Sequence, residues 1–147
     1  KGNTLVLFSL IKHGEFLHEL IKEKADVNRK TFLVYGATDS ETREKIRGIV
    51  ERERNSIVVA SFGVFSTGIN IRNLHNIIFA SPYKSRIRNL QSIGRGLRTH
   101  ESKAGAKLYD IADNFNNNNH TMKHFVKRIG IYNQEEFDYE IIKVNLK

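Results

Sequence analysis

Apolar positions along this chain fall into two kinds of spacing. Thr4–Phe8, Thr31–Tyr35, Ser56–Ala60, Asn76–Ala80 and Ala106–Ile111 are short runs, most of them uniformly apolar, and each predicts a strand, Thr4–Phe8 a buried one. The segments between them repeat at helical spacing. Phe16, Leu17, Leu20 and Ile21 predict a helix over 13–24. Thr38-Asp-Ser-Glu41 has the form of a capping box, opening a helix that runs to about Arg54 with Ile46, Ile49 and Val50 as its apolar stripe. Ile87, Leu90 and Ile93 share one face of a helix over 86–97, and Met122, Phe125, Val126 and Ile129 one face of a basic helix over 120–129. Phe137–Val144 alternates and predicts a last strand, while the asparagine-rich patch 114–119 reads as a loop or helix start, because Asn competes with helix backbone bonding.

Strands that alternate with helices and are apolar on both faces predict an α/β fold: three layers, a mostly parallel sheet, helices on either side. In such a fold functional groups gather beyond the carboxyl ends of the strands. The chain has 147 residues, enough for one compact domain, and shows no internal repeat. Its net charge of +8 favours polyanionic partners, nucleic acid first among them. There are no cysteines, so disulfides and thiolate chemistry are excluded. No apolar run reaches the roughly 20 residues of a membrane span. The chain opens on Lys1-Gly-Asn-Thr without an initiator Met and reads as a piece of something longer.

Three constellations are candidates for chemistry. On a helix, Gln91, Arg95 and Arg98 share one face, with Gly94 leaving room beside Arg95, and two guanidiniums on one face form a fork suited to phosphate oxygens. The segment from Ser61 and Phe62 to Gly68 and Asn70 follows a strand directly. It reads either as a phosphate- or backbone-binding loop or as an ordinary strand-to-helix turn. Ser40-Glu-Thr-Arg43, behind Gly36, either faces a backbone phosphate or is a cap with a surface arginine; Ser9, Lys12 and His13 after the first strand carry the same pair of readings. Lys84, Arg86, Arg88, Lys123, Lys127 and Arg128 add general phosphate attraction. His120 and His124 stand four apart with no Glu in the metalloprotease position, so no metal site is expected. No G-x-x-x-x-G-K-[ST] loop occurs to cradle nucleotide phosphates.

Gln91-x-x-Gly94-Arg95-x-x-Arg98 resembles motif VI of superfamily 2 helicases, Ser61–Asn70 their motif V, and Thr4–Ser9 their motif IV, in the family's order. The resemblance covers roughly residues 3–112. It implies a RecA-like, P-loop-NTPase-like motor domain over 1–113, with 114–147 a C-terminal extension packed on it. It further implies ATP bound between this domain and a preceding RecA-like domain that supplies the Walker A lysine and holds Mg²⁺. Arg95 and Arg98 would be fingers on the γ-phosphate. Gln91, Gly68 and Asn70 would sit at the nucleotide, although many relatives have Asp at the Asn70 position. Ser9, Gly36, Arg43, Ser61 and Phe62 would meet the nucleic acid. Similarity to phage recombination helicases implies DNA, branched or single-stranded, or RNA–DNA hybrid as partner, roles in recombination and repair, and a cytoplasmic setting. The other class of reading is a nucleic-acid binding or annealing module without catalysis.

Overall fold

The structure, a computed structural model, describes residues 2–67, 71–81, 106–114 and 120–146. Its strands are β1 (Thr4–Phe8), β2 (Thr31–Val34), β3 (Ile57–Ser61), β4 (Asn76–Phe79) and β5 (Lys107–Asp110). They form one sheet in the order β2-β3-β1-β4-β5, with every pairing parallel. The described helices are α1 (Ile11–Lys24), α2 (Ser40–Arg52), α3 (Phe62–Thr67) and α4 (His120–Gln134). The predicted helix over 86–97 lies outside the described residues.

The uninterrupted apolarity of the inner strands β1 and β3 has a direct structural cause: both faces of the sheet are covered there, whereas β5 at the edge alternates between exposed and partly buried residues. Leu5 and Leu7 of β1 point into a core shared with Ile46 and Val50 of α2, Val58 and Ala60 of β3, Ile77 and Phe79 of β4, and Ile131 and Tyr132 of α4. Val6 and Phe8 point the other way, into a smaller core with Ile57 and Val59, closed by Leu17 and Ile21 of α1. All five residues of β1 are buried, as the central strand of a covered parallel sheet should be. Gly14 lets α1 lie close on this face, because a Cβ there would come within 2.3 Å of the Phe8 ring.

At the amino edge a buried asparagine ties the elements together. Asn3 Nδ2 donates to the carbonyls of Val50 (2.8 Å), Glu53 (2.8 Å) and Asn73 (3.0 Å), and Asn3 Oδ1 accepts from the Ser56 N–H (2.9 Å). One side chain thus joins the end of α2 to the starts of β3 and β4.

Three expectations are corrected. The cap of α2 is Asp39, whose carboxylate accepts from the Thr42 N–H at 2.8 Å; Thr38 instead stays with the preceding turn, its hydroxyl accepting from the Tyr35 N–H at 3.2 Å. Glu41 is left to pair with Lys45 at 2.8 Å. The inward face of α4 is shifted from the expected one: Met122 and Phe125 are partly buried and Ile129 packs against the core as expected, but Val126 is exposed, and Arg128, Ile131 and Tyr132 are the most buried. Residues 137–144 are not a strand. The chain turns at Glu136 (φ 56°), the Phe137 N–H donates to the Tyr132 carbonyl at 2.9 Å, and the rings of Phe137 and Tyr139 pack on Tyr132. This local aromatic packing at the end of α4 takes the place of sheet pairing, leaving Ile141, Ile142 and Val144 exposed.

Candidate functional site

The parallel sheet brings the carboxyl ends of all five strands to one edge, and the sequence-predicted residues that the structure describes lie along it. The registers Phe8↔Ser61, Val34↔Ala60 and Leu7↔Phe79 fix their levels. Continued by one or two residues, these registers put Gly36, Phe62, Ser9 and Ser81 side by side in the order of β2, β3, β1 and β4. At about 4.8 Å per strand the row is roughly 14 Å long, about four nucleotides of a stacked strand at ~3.4 Å each.

Gly36 is exposed, and the position its Cβ would take is open space. Arg43, in the first turn of α2, folds back over this turn: Nη2 donates to the Gly36 carbonyl at 3.0 Å and to the Tyr35 carbonyl at 3.4 Å. Its Nε is buried without a partner among the described residues. The structure therefore brings Gly36 and Arg43 together. The Asp39 carboxylate beside them is held below the usual carboxylate range, chiefly by the Thr42 N–H and then by the Thr42 hydroxyl (2.7 Å), so this helix start keeps its negative cap.

Ser61 ends β3, and its hydroxyl accepts from the Val64 N–H at 3.4 Å, starting α3. The Phe62 ring is buried, its centroid 5.5 Å from that of the Phe79 ring. Any nucleic-acid contact at Phe62 falls to its main chain, not to stacking on a base. Ser9 leaves β1 with its N–H donating to Ser81 Oγ at 3.3 Å, and its own hydroxyl is buried without a partner among the described residues. Gly68, Asn70, Gln91, Gly94, Arg95 and Arg98 lie outside the described residues.

Sequence reading missed Ser81, a buried residue in contact with both Ser9 and His13. The available signal was its place directly after an apolar run, the position Ser9 also holds; its link to Ser9 rests on β1 and β4 being neighbours, which no local pattern reports. Arg128 corrects the sequence reading. It is not part of a solvated basic face: Nε and Nη2 bind the two Asp110 carboxylate oxygens at 2.6 and 2.8 Å, and the Tyr132 hydroxyl donates to Asp110 Oδ2 at 2.6 Å. Burial, reinforced by the Asp110 charge, pushes the Tyr132 phenol far above its ordinary range. Lys123 and Lys127 remain exposed. Among the described residues no three or more acidic, His or Cys side chains are grouped to hold a metal ion, and no helix is long and apolar enough to cross a membrane.

Residues 1–100 match the helicase conserved C-terminal domain family. The chain is 38% identical to the ATP-dependent DNA helicase uvsW of Enterobacteria phage T4, an alignment covering 98% of this chain and 31% of that protein. It is 32% identical to the putative ATP-dependent helicase IRC3 of Saccharomyces cerevisiae, over 74% of this chain and 15% of that one. The chain thus spans under a third of the length of these relatives. Among solved structures, domain 2 of the DEAD-box helicase Mss116p bound to an RNA duplex superposes with a TM-score of 0.62 at 16% identity, covering 75% of this chain and 42% of that one. The C-terminal part of the Fun30 ATPase domain gives 0.61 at 14% identity, over 92% and 48%. The SWI2/SNF2 ATPase core of Sulfolobus solfataricus in complex with dsDNA gives 0.54 at 13%, over 74% and 22%. With its parallel five-stranded sheet, its two covered faces and this match over most of its length, the chain belongs to the helicase conserved C-terminal domain family and has the RecA-like fold of the C-terminal motor domains of superfamily 2 helicases.

Proposed function

We propose that this chain is the second motor domain of an ATP-dependent helicase or translocase acting on DNA, including branched DNA and RNA–DNA hybrids, in recombination and repair. The observation that carries this reading is the row at the carboxyl edge: Gly36 with Arg43, Ser61 with the Phe62 main chain, and Ser9 stand at the carboxyl ends of three adjacent strands. Main-chain groups, hydroxyls and one guanidinium suit a sugar–phosphate backbone and read no base. Residues 114–147 form an extension of the same domain, a reading supported by Ile131 and Tyr132 standing in the main core.

ATP, bound between this domain and a preceding one, supplies the phosphoanhydride whose cleavage drives movement. Arg95 and Arg98 stabilise negative charge on the transferred phosphoryl group, a contribution worth roughly 10³–10⁵ in rate where arginine fingers have been removed. Gln91, Gly68 and Asn70 sit at the nucleotide. Mg²⁺ and the β- and γ-phosphates are held mainly by the preceding domain, because this sequence has no G-x-x-x-x-G-K-[ST] loop.

The test is ATP hydrolysis with and without DNA. The 147-residue chain alone is expected to hydrolyse no ATP and to bind DNA weakly. In a protein carrying both motor domains, Arg98→Ala is expected to abolish DNA-stimulated turnover while DNA binding persists. Near-normal turnover by that variant removes Arg98 from the finger role. A two-domain protein that binds and anneals strands without any ATP turnover leaves the binding-module reading in its place.

A further inference from the structure

Three polar groups converge where β1 passes into α1, beside the end of β4. Ser81 Oγ receives the Ser9 N–H at 3.3 Å and lies 3.1 Å from His13 Nδ1. Ser9 Oγ sits beside them, buried and without a partner among the described residues. Ser81 itself is only 8% exposed, so its hydroxyl is shielded from water and its bonds within the protein are worth correspondingly more.

The hydroxyl has one proton and needs one acceptor. With a lone pair already engaged by the Ser9 N–H, the acceptor within reach among the described residues is His13 Nδ1. In that arrangement the ring's own proton sits on Nε2. The hydrogen bond made by one imidazole nitrogen fixes which proton the other carries. The His13 ring is partly exposed, and its Nε2 makes no hydrogen bond to the described residues. It is an oriented donor at the same edge as Gly36, Ser61 and Ser9, with the exposed Lys12 next to it.

We propose that His13 is a further nucleic-acid contact: its Nε2–H donates to a backbone phosphate oxygen, and Ser81 is the positioning residue that fixes the ring and the Ser9 turn for it. This rests on the reading that nucleic acid runs along the carboxyl edge. The ligand is a phosphodiester backbone, and the contact carries no base preference. Ser81 also begins the stretch of chain that leads directly to Gln91–Arg98.

The experiment is fluorescence anisotropy of a labelled single-stranded oligodeoxynucleotide at low salt, with the wild-type chain, Ser81→Ala, Ser81→Thr, His13→Ala and the Ser81→Ala/His13→Ala double variant. Thermal unfolding of each runs alongside. His13→Ala is expected to weaken binding about tenfold, the size of one lost hydrogen bond to a charged group. Ser81→Ala should weaken it by a similar factor, and the double variant by about the same factor again and not its square. Ser81→Thr keeps the hydroxyl and should restore near-wild-type affinity even if it unfolds at a lower temperature. Wild-type affinity in Ser81→Ala, or effects that multiply in the double variant, overturns the proposal. Arg43→Ala separates the two levels of inference. If it weakens binding while His13→Ala does not, the His13 contact alone is wrong. If neither changes affinity, the carboxyl-edge reading fails with it.

Discussion

Single residues hold this fold at places where their type alone gives little warning. Asn3 is fully buried; its amide NH2 shares two protons among three carbonyls, and its oxygen accepts one N–H, all from positions 47 to 70 residues away. Truncation to alanine leaves those buried groups without partners, and each such group costs about 1–3 kcal/mol. Asn3→Ala should therefore lower unfolding free energy by on the order of 3 kcal/mol in urea melts; a loss below ~1 kcal/mol would mean that water replaces the amide. Gly14 is the steric counterpart. An alanine there drives a methyl group into the ring of Phe8, which is fully buried. Overpacking of this kind costs typically 1–3 kcal/mol. That sign is opposite to the gain expected from replacing glycine by alanine in an exposed helix, so a melting temperature raised by Gly14→Ala would show that α1 does not sit on Phe8.

At the scale of elements, the strands were legible because a central parallel strand must be apolar on both faces, and the chain spells this out in Thr4–Phe8 and Ser56–Ala60. Local competition was less legible. Thr38 and Asp39 both stand in front of α2, and the carboxylate, the stronger acceptor, takes the cap while the threonine closes the preceding turn. Asp39→Ala should thus destabilise the chain at neutral pH. Because the folded carboxyl titrates below its unfolded value, its contribution is present above the unfolded pKa of ~3.9 and fades as pH falls through the folded one. Melting temperatures of wild type and variant should differ at neutral pH and converge as the pH falls through the folded carboxyl's lowered titration. The inward face of α4 was misread for a related reason. Periodicity scores apolar residues, but one of the buried positions belongs to Arg128, whose partner Asp110 is 18 residues away on β5. Asp110→Ala strands a buried guanidinium and should cost about 3–5 kcal/mol, whereas Asp110→Leu with Arg128→Met should cost far less. Denaturant melts that rank the double variant as the worse of the two would refute the buried-pair assignment.

For the whole molecule, the question is whether its charge of +8 acts diffusely or at one place. Some of the positive charge is internally matched among the described residues: Lys45 by Glu41, Arg47 by Glu44 and Glu51, Lys30 by Glu53, and Arg128 by Asp110. These cations cannot release counterions from a nucleic acid at full effect. Arg43 differs, since among the described residues its side chain bonds only neutral carbonyls at the proposed edge and forms no ion pair, the Asp39 carboxylate beside it being taken up by Thr42. Exposed Lys123 and Lys127 on α4 represent the diffuse alternative. A phosphate contact made by a cation contributes about 0.7 to the slope of log affinity against log salt on single strands and about 0.9 on duplex. If the carboxyl edge is where nucleic acid binds, Arg43→Ala should flatten that slope by roughly this amount, and Lys123→Ala with Lys127→Ala should leave it nearly unchanged. Equal flattening by the α4 pair would mean that the net charge of the molecule, and not the row of residues along its sheet, attracts the polyanion.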